Sequence, residues 1–387
     1  RGAMARLREA RALRGVAGAA RFPALDASGS YQYRGDSEYA PAGALPDNHD
    51  LYAAGWDASW EFDLWGLVRR SVEAAEAELG ATAEEARGVF LAVAAETAVN
   101  YVELRAYQRR LAIARTNVAL QEQTLQLVQA RYDAGFVGAR DLAQAASNVA
   151  VTRSRVPALE AGARAAENRL TTLLGLSPGS LAGELDGTGE IPVAPARAVV
   201  GVPADVVRNR PDVRAAERRL AAEYARRGVA RADAYPRLAL SGTIGVAALD
   251  SSDLFRSGSD VFGIGPSVRW TLFDGGRLRQ RIHAQDARAE QAMIGWEQAV
   301  LRGLEESETA MTAFVREQVR RGELLEAARE ARRAVELAQL EYREGQSDFQ
   351  TVLDSERGLA QLEDELARTD ATIAAHFIAL HKALGSG

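Results

Sequence analysis

The chain has 387 residues, more than most single domains carry, so we expect two domains or an internal repeat. Charged residues make up 26% and hydrophobic residues 47% of the sequence, which is typical of a folded protein. A formal net charge of −6 gives no reason to expect nucleic-acid binding, which favours a basic surface. The lack of cysteine excludes disulfides and thiolate metal sites.

The first element is a helix. Its opening residues, RGAMARLREARALRG, read as part of an amphipathic helix that the sequence enters midway. They contain neither the apolar segment nor the cleavage motif of a signal peptide, so we expect the chain to start downstream of its natural beginning. No run of about 18 apolar residues occurs, and we therefore expect no transmembrane helix.

Four segments alternate between apolar and polar residues with the period of two that is typical of β-strands. They are residues 25–34, 52–63, 238–246 and 262–272. Each is about 10 residues long, the length that a tilted strand needs to cross a bilayer. Pro266 argues against a strand at the last segment, because proline cannot donate to a neighbouring strand.

Four strands cannot close a barrel, and an open sheet edge is not tolerated in hydrocarbon. If these strands span a membrane, several chains must therefore share one barrel. The alternative interpretation is a soluble sandwich of short strands.

A long helix follows the first strand pair, and we predict it to run from Leu67 to Tyr132, on the order of 100 Å. Apolar residues recur along it at alternating spacings of three and four, with one polar member. They are Leu104, Tyr107, Leu111, Ala114, Val118, Gln121, Leu125, Val128 and Tyr132. The pattern breaks at Gly135 and Gly138, and a shorter helix is predicted to return from Asp141 to Leu174. An ordinary dimeric coiled coil is the alternative.

The whole arrangement recurs after 210 residues. Trp60 pairs in this way with Trp270, Gly66 with Gly276, and Tyr132 and Gly135 with Tyr342 and Gly345. We therefore predict a tandem repeat. The first repeat comprises residues 1–175, a linker comprises residues 176–211, and the second repeat comprises residues 212–387.

Motifs of catalysis and metal binding are weak. GLSPG, from Gly175 to Gly179, matches the nucleophile elbow G-x-S-x-G, but that elbow must connect a strand to a helix. Here it follows a helix, where Gly175 is a natural C-terminal cap. The four histidines have no metal-ligand spacing. We therefore predict that the protein is not an enzyme and carries no cofactor or metal.

Several stretches resemble the TolC family of outer-membrane efflux channels, in its NodT-type branch that serves resistance-nodulation-division pumps. They are GVPADVVRNRPDVRAAERRLAAEYARRGVARADAYPRLALSG, WTLFDGGRLRQRI, RYDAGFVGARDL and ALHKALGSG. The resemblance covers essentially the whole chain. Family members carry a signal peptide and often a lipid-bearing cysteine upstream, and neither is in this sequence, which leaves lipidation open.

The resemblance implies an α+β membrane protein of the bacterial outer membrane that extends into the periplasm. Three chains would combine four strands each into a twelve-stranded β-barrel, and long helical hairpins would form an α-barrel. The segment 175–210 would form a belt around its middle. The implied partners are two further copies, outer-membrane lipid, a periplasmic adaptor protein and an inner-membrane resistance-nodulation-division pump, with no nucleic acid. From the residues alone, a soluble structural or adaptor coiled coil with a lipoyl-like or sandwich domain remains the rival.

The resemblance also implies that the two Gly breaks are hairpin turns at the periplasmic tip, which contact the adaptor and close the pore. The turn residues would be Arg131, Tyr132, Gly135, Gly138, Tyr342, Gly345 and Ser347. The family usually has Ser where this chain has Gly138. In the second turn, Ser347 with Gln350 or Asp348 with Thr351 would cap the following helix. Asp141, Asp354 and Asp348 would form rings of like charge that narrow the pore and attract cations.

Overall fold

A computed structural model describes residues 1–35, 48–185, 187, 189–195 and 207–385. The chain folds into two compact units, and each unit is formed by two separate segments of the chain. The first comprises Arg1–Ala86 with Asp212–Ala299, and the second comprises Arg87–Pro211 with Val300–Gly387. No helix of the described residues is both long and apolar enough to cross a membrane.

The first unit contains a sheet and the helices that lead into and out of it. Helix α1 (Gly2–Ala19) precedes strands β1 (Ala24–Gly35) and β2 (Asn48–Phe62). Helix α5 (Pro211–Ala232) precedes strands β3 (Arg237–Ala248) and β4 (Asp260–Arg269), with a short 3₁₀ turn (Ser251–Asp253) between these two strands. The predicted strands are all present, with different ends.

All neighbouring strands of the sheet are antiparallel, in the order β1-β2-β3-β4. Their register aligns the apolar residues across all four strands: Ala27 lies opposite Trp56, Trp56 opposite Ile244, and Ile244 opposite Phe262. Since successive residues of a strand point to opposite faces, one face of the sheet is apolar and the other is polar.

The polar face has its own hydrogen bonds. Asp57 accepts from the hydroxyl of Ser28 on β1 at 2.9 Å and from the hydroxyl of Thr243 on β3 at 2.8 Å. On this same face Gly55 pairs with Gly245, and a Cβ added at Gly55 would lie 2.8 Å from the Ile244 carbonyl oxygen. The backbones of β2 and β3 therefore lie too close together at this glycine pair to leave room for side chains.

The described part of the chain leaves the apolar face uncovered. Every residue of β1 is exposed, and Phe262 and Ile264 on β4 are 83% and 79% exposed. A folded chain normally buries the apolar side of a sheet against another layer. Neither face of this sheet has such a layer among the described residues.

Aromatic residues lie where strands meet helices. The sequence pattern extended β4 through Trp270 and Leu272, but the strand ends at Arg269. The indole of Trp270 instead donates to the carbonyl of Ala234 at 3.1 Å, next to the end of α5. Trp65 likewise donates to the carbonyl of Pro236 at 2.8 Å. Of these two side chains, strand alternation had assigned Trp270 to the sheet, and its bond to Ala234 anchors it outside the strand instead. Pro266 does lie inside β4, whose far edge has no strand beside it in the described residues.

The second unit contains most of two hairpins of long helices. Hairpin 1 consists of α2 (Leu67–Asp133, 67 residues) and α3 (Ala139–Leu174). Hairpin 2 consists of α6 (Arg277–Glu344, 68 residues) and α7 (Phe349–Ala383). The predicted course of α2 is confirmed to within one residue.

The predicted row of residues on α2 is buried or half-buried from Leu104 to Val128. Leu104, Ala114, Gln121 and Val128 are buried, but Tyr132 at its end is 40% exposed. The heptad expectation is therefore wrong at Tyr132, because α2 ends one residue later, at Asp133.

The predicted belt lies partly outside the described residues. Within it, α4 (Ala182–Leu185) is held to α2 by Arg105 and Gln108, whose side chains donate to the Leu185 carbonyl at 3.4 and 2.9 Å.

Candidate gate and docking site at the hairpin turns

The first turn, between α2 and α3, is a Schellman motif built around Gly135. Gly135 has φ +78°, a conformation that L side chains rarely adopt. Its N–H donates to the Tyr132 carbonyl at 2.9 Å, and the Phe136 N–H donates to the Arg131 carbonyl at 2.9 Å. These two bonds satisfy carbonyls that the end of a helix otherwise leaves free.

The second turn, between α6 and α7, has the same geometry. Gly345 has φ +77°, and its N–H donates to the Tyr342 carbonyl at 3.1 Å. The Gln346 N–H donates to the Glu341 carbonyl at 2.9 Å. Both breaks are therefore sharp reversals of the chain, as the glycine pattern predicted.

The helices that follow the turns start differently. Asp348 caps α7, since its Oδ1 accepts from the Thr351 N–H at 2.9 Å and from the Thr351 hydroxyl at 2.8 Å. The Thr351 N–H, followed by its hydroxyl, holds the pKa of Asp348 below its usual range. Gly138, 210 residues earlier, caps α3 without a side chain. Of the two expected registers, Asp348 with Thr351 is the observed one, and the Ser347 hydroxyl makes only a 3.5 Å contact with the Asp348 carbonyl.

The aromatic residues of the two turns also differ in burial. Tyr342 and Phe349 of the second turn are 3% and 5% exposed, with ring centres 5.9 Å apart. Tyr132 and Phe136 of the first turn are 40% and 78% exposed. The buried pair belongs to a cluster from both hairpins, which we name the tip core. Its members are Val128, Ala145, Ala338, Tyr342, Phe349, Val352 and Leu353.

Arg131 connects the two turns directly. Its Nη1 donates to the Tyr342 carbonyl at 2.7 Å, and its guanidinium carbon lies 4.5 Å from the centre of the Tyr342 ring. This contact combines a charged hydrogen bond with a cation–π interaction. Sequence reasoning placed both residues in turns but had no means of pairing them.

The three predicted gate aspartates occupy different settings. Asp141 is half-buried in the first turn of α3. Asp354 is exposed on α7, where it accepts from the Gln350 amide at 3.0 Å and has Arg357 at 4.0 Å. Asp348 is engaged in its cap. Within the described residues, no group of acidic or histidine side chains has the arrangement of a metal site.

Sequence reasoning missed Glu356, a carboxyl buried between the hairpins. It is 7% exposed and accepts from the Thr124 hydroxyl of α2 at 2.8 Å and from the Gln339 amide of α6 at 3.0 Å. The signal was present in the sequence, because Val352, Leu353, Glu356 and Leu359 recur at the spacing of a buried helix face. Two further contacts link the hairpins: Arg110 with Asp364 at 2.6 Å, and Arg357 with Asn148 at 2.9 Å.

A family model, related sequences and solved structures all match this chain. A family model described as outer membrane efflux protein matches residues 1–176 and 202–386. Nodulation protein T of Rhizobium leguminosarum bv. trifolii is 31% identical over 372 residues, covering 96% of this chain and 79% of that protein. Pyoverdine export outer membrane protein OpmQ of Pseudomonas aeruginosa is 31% identical over 398 aligned residues, covering 100% of this chain and 81% of that protein.

Two solved channels have the same fold. The outer-membrane channel OprN matches with a TM-score of 0.94 and 36% identity, covering 100% of this chain and 86% of that one. The outer membrane protein VceC of Vibrio cholerae matches with a TM-score of 0.90 and 27% identity, covering 100% of this chain and 92% of that one.

Proposed function

This chain belongs to the outer membrane efflux protein family, and on that premise we propose that it is the passive exit duct of a tripartite efflux pump. It is an efflux channel of the outer membrane that extends into the periplasm, and it is not an enzyme. In the proposed assembly, three copies form one tunnel. An adaptor protein and an inner-membrane resistance-nodulation-division pump open its periplasmic tip and supply the energy.

The observation that carries the proposal is the uncovered apolar face of the sheet. Four strands of 10 to 15 residues place their large apolar side chains on one face and hydrogen-bonded polar groups on the other. This arrangement fits strands with lipid outside and water inside. The edges of β1 and β4 lack partners in the described chain, and neighbouring copies would supply them in a twelve-stranded barrel.

The helices offer a second surface for neighbouring copies. On α6, a row of apolar side chains within the second unit is exposed although it recurs at helical spacing: Leu301, Leu304, Val315, Val319 and Leu325. A water-facing helix normally presents polar residues on its outer side. This row supports the proposed trimer, in which a helix of the next copy would cover it.

The proposed tandem repeat is supported by backbone geometry. Pairs of glycines 210 residues apart share positive φ: Gly66 and Gly276 at 81° and 88°, Gly135 and Gly345 at 78° and 77°, and Gly175 and Gly385 at 72° and 65°. We propose residues 1–175 and 212–387 as the two repeats, with 176–211 as the linker between them. Each compact unit takes one part from each repeat.

For the tip, we propose that the two turns contact the adaptor. Arg131, Tyr132, Gly135 and Gly138 form the first contact, and Tyr342, Gly345 and Ser347 form the second. The exposed first turn offers side chains for docking, and the buried second turn is held by the tip core. We propose Asp141 and Asp354 as the acids that narrow the pore, with Asp348 beside them.

Membrane fractionation tests the proposal against its rival, a soluble coiled-coil protein. The exit duct is expected in the outer-membrane fraction, to require detergent, and to run as a trimer that heating dissociates. Recovery of a water-soluble monomer or dimer without detergent would favour the rival. Conductance across a planar bilayer then separates a channel from an inert membrane protein.

A further inference from the structure

Glu356 is a carboxyl on the buried face of α7, and among the described residues it forms no ion pair. Its neighbours on that face, Val352, Leu353 and Leu359, are apolar and buried. Moving a lone carboxylate out of water is costly, and a buried one normally has a cation or several donors. The side chains around Glu356 therefore determine whether it is charged.

One carboxyl oxygen is satisfied and the other is not. Oε1 accepts from the Thr124 hydroxyl of hairpin 1 and from the Gln339 amide of hairpin 2. Oε2 is buried and has no hydrogen-bond partner among the described residues. One turn before Thr124 on α2, the Gln121 side-chain oxygen is buried with no donor either, in the part of the chain that the structure describes. An ionised carboxylate can only accept, and Oε2 has no donor among the described residues, so ionisation leaves a buried charge without compensation at this oxygen.

In the part of the chain that the structure describes, no cation compensates a negative charge on Glu356. The side chains that donate hydrogen bonds to the Glu356 carboxyl are Thr124 of α2 and Gln339 of α6. Asn148 of α3 accepts from Arg357, whose guanidinium also lies 4.0 Å from Asp354. Burial raises the pKa of Glu356, and the bonds from Thr124 and Gln339 only partly oppose this.

We propose that Glu356 is a protonation-controlled clamp between the two hairpins. Protonated, the carboxyl is neutral, accepts at Oε1 from both hairpins and has a hydrogen on Oε2 to donate to a buried acceptor. Ionised, it favours arrangements in which water reaches it, and these require the hairpins to move apart. Its bearing on pore opening rests on the proposed function, whereas the clamp itself concerns only the packing of α2, α6 and α7.

The direction of the pH dependence follows from the raised pKa of Glu356. The packed state binds the proton more tightly than a hydrated carboxyl does, so the packing weakens as pH rises from the usual glutamate value up to the raised one. Below that pH window the clamp contributes its full stability to the packing. Above it that contribution is lost, and a further rise in pH changes nothing more. Low pH is therefore expected to hold the hairpins together.

Hydrogen exchange of the detergent-solubilised protein tests this at α7 amides around residue 356, at about pH 5 and about pH 8. Rates are corrected for the intrinsic pH dependence of exchange. In the parent protein, protection is expected to fall at the higher pH, by about tenfold for each unit by which the raised pKa lies above the lower pH of the comparison. Glu356→Gln stays neutral at both values and is expected to keep its protection. Glu336→Gln removes an exposed carboxyl on α6 and is expected to behave like the parent.

Equal pH dependence in the parent and Glu356→Gln would overturn the clamp, as would a parent without pH dependence. If Glu356→Gln is unstable at both pH values, Glu356→Leu provides the second reading, since it also lacks a titrating group at this position. The bilayer conductance of the same parent sample tests the proposed function independently. If the parent conducts but Glu356→Gln shows the same pH dependence of hydrogen exchange as the parent, the clamp alone is refuted. If hydrogen exchange depends on Glu356 as expected but the parent does not conduct, the duct alone is refuted.

Discussion

The guanidinium of Arg131, at the end of the first long helix, donates to the carbonyl of Tyr342, at the end of the second, at 2.7 Å. The two residues are 211 positions apart in the chain. The same guanidinium covers the Tyr342 ring at 4.5 Å. A single side chain thus connects the two turns that we assign to the tip of the duct.

Arg131→Ala is expected to loosen this connection. The loss is on the order of 1–2 kcal/mol, because the hydrogen bond is charged but the guanidinium is half-exposed. Thermal unfolding followed by circular dichroism gives the stability, and single-channel recording is expected to show more frequent opening. Arg343→Ala, an exposed arginine near the second turn, is the control and should leave both unchanged. Parent-like openings in Arg131→Ala would remove the contact from the gate.

Gly135→Ala and Gly345→Ala are each expected to destabilise a turn. Left-handed backbone costs an L residue about 1–2 kcal/mol. At Gly135 an added Cβ meets nothing within 4 Å, so the cost there is conformational and not steric. Thermal unfolding measures it. Gly138→Ser serves as the contrast, because Gly138 has φ −86° and a serine cap adds a few tenths of a kcal/mol. Equal behaviour of Gly135→Ala and Gly138→Ser would contradict the assigned turn.

Because Asp348 caps α7, we expect the stability of the first turn of this helix to depend on pH. The pKa of its carboxyl is lowered in the fold, so its contribution is complete above the usual aspartate value and disappears as pH falls through the lowered one. Asp348→Asn retains an acceptor for the Thr351 N–H without titrating. In the parent, the amides in the first turn of α7 are therefore expected to lose protection from hydrogen exchange as pH falls through the acid range. In Asp348→Asn this loss is not expected. Identical acid profiles would rule out the cap as the cause.

Asp141→Ala and Asp354→Ala test the proposed constriction. In a threefold assembly each aspartate forms a ring of three like charges that attracts cations. The double replacement is expected to raise single-channel conductance and weaken cation preference in planar bilayers. The double replacement of Glu330 and Glu336 by Ala, at exposed acids of α6, provides the matched loss of two charges. Conductance like that of the parent would exclude both aspartates from the gate.

Ile264→Lys tests which face of the sheet meets lipid. Ile264 lies on the apolar face and is 79% exposed within one chain. A lysine facing lipid near the bilayer midplane costs roughly 2–4 kcal/mol. Ser241→Lys, on the polar face of β3, places the same charge towards water and should cost little. Heat dissociation of the trimer compares the two. A larger loss for Ser241→Lys would invert the proposed orientation.

Part of the tip was predictable and part was not. The glycine turns follow from local chemistry, since only glycine readily ends a helix with positive φ. The cap at Asp348 was one of two local alternatives that the sequence left open. The pairing of Arg131 with Tyr342 and the burial of Glu356 depend on how the two hairpins pack, and residues more than 200 positions apart carry no local signal of contact.

The sequence by itself determined the element order, the two long hairpins, the glycine turns and the period-two strands, because each depends on residues within a few positions of one another. The tertiary structure decided the strand register, which puts the apolar residues of all four strands on one face. It also decided the unequal burial of the two turns, where Tyr342 is enclosed and Tyr132 is left at the surface. Both depend on which distant segments meet, and that choice is made by packing and not by local preference.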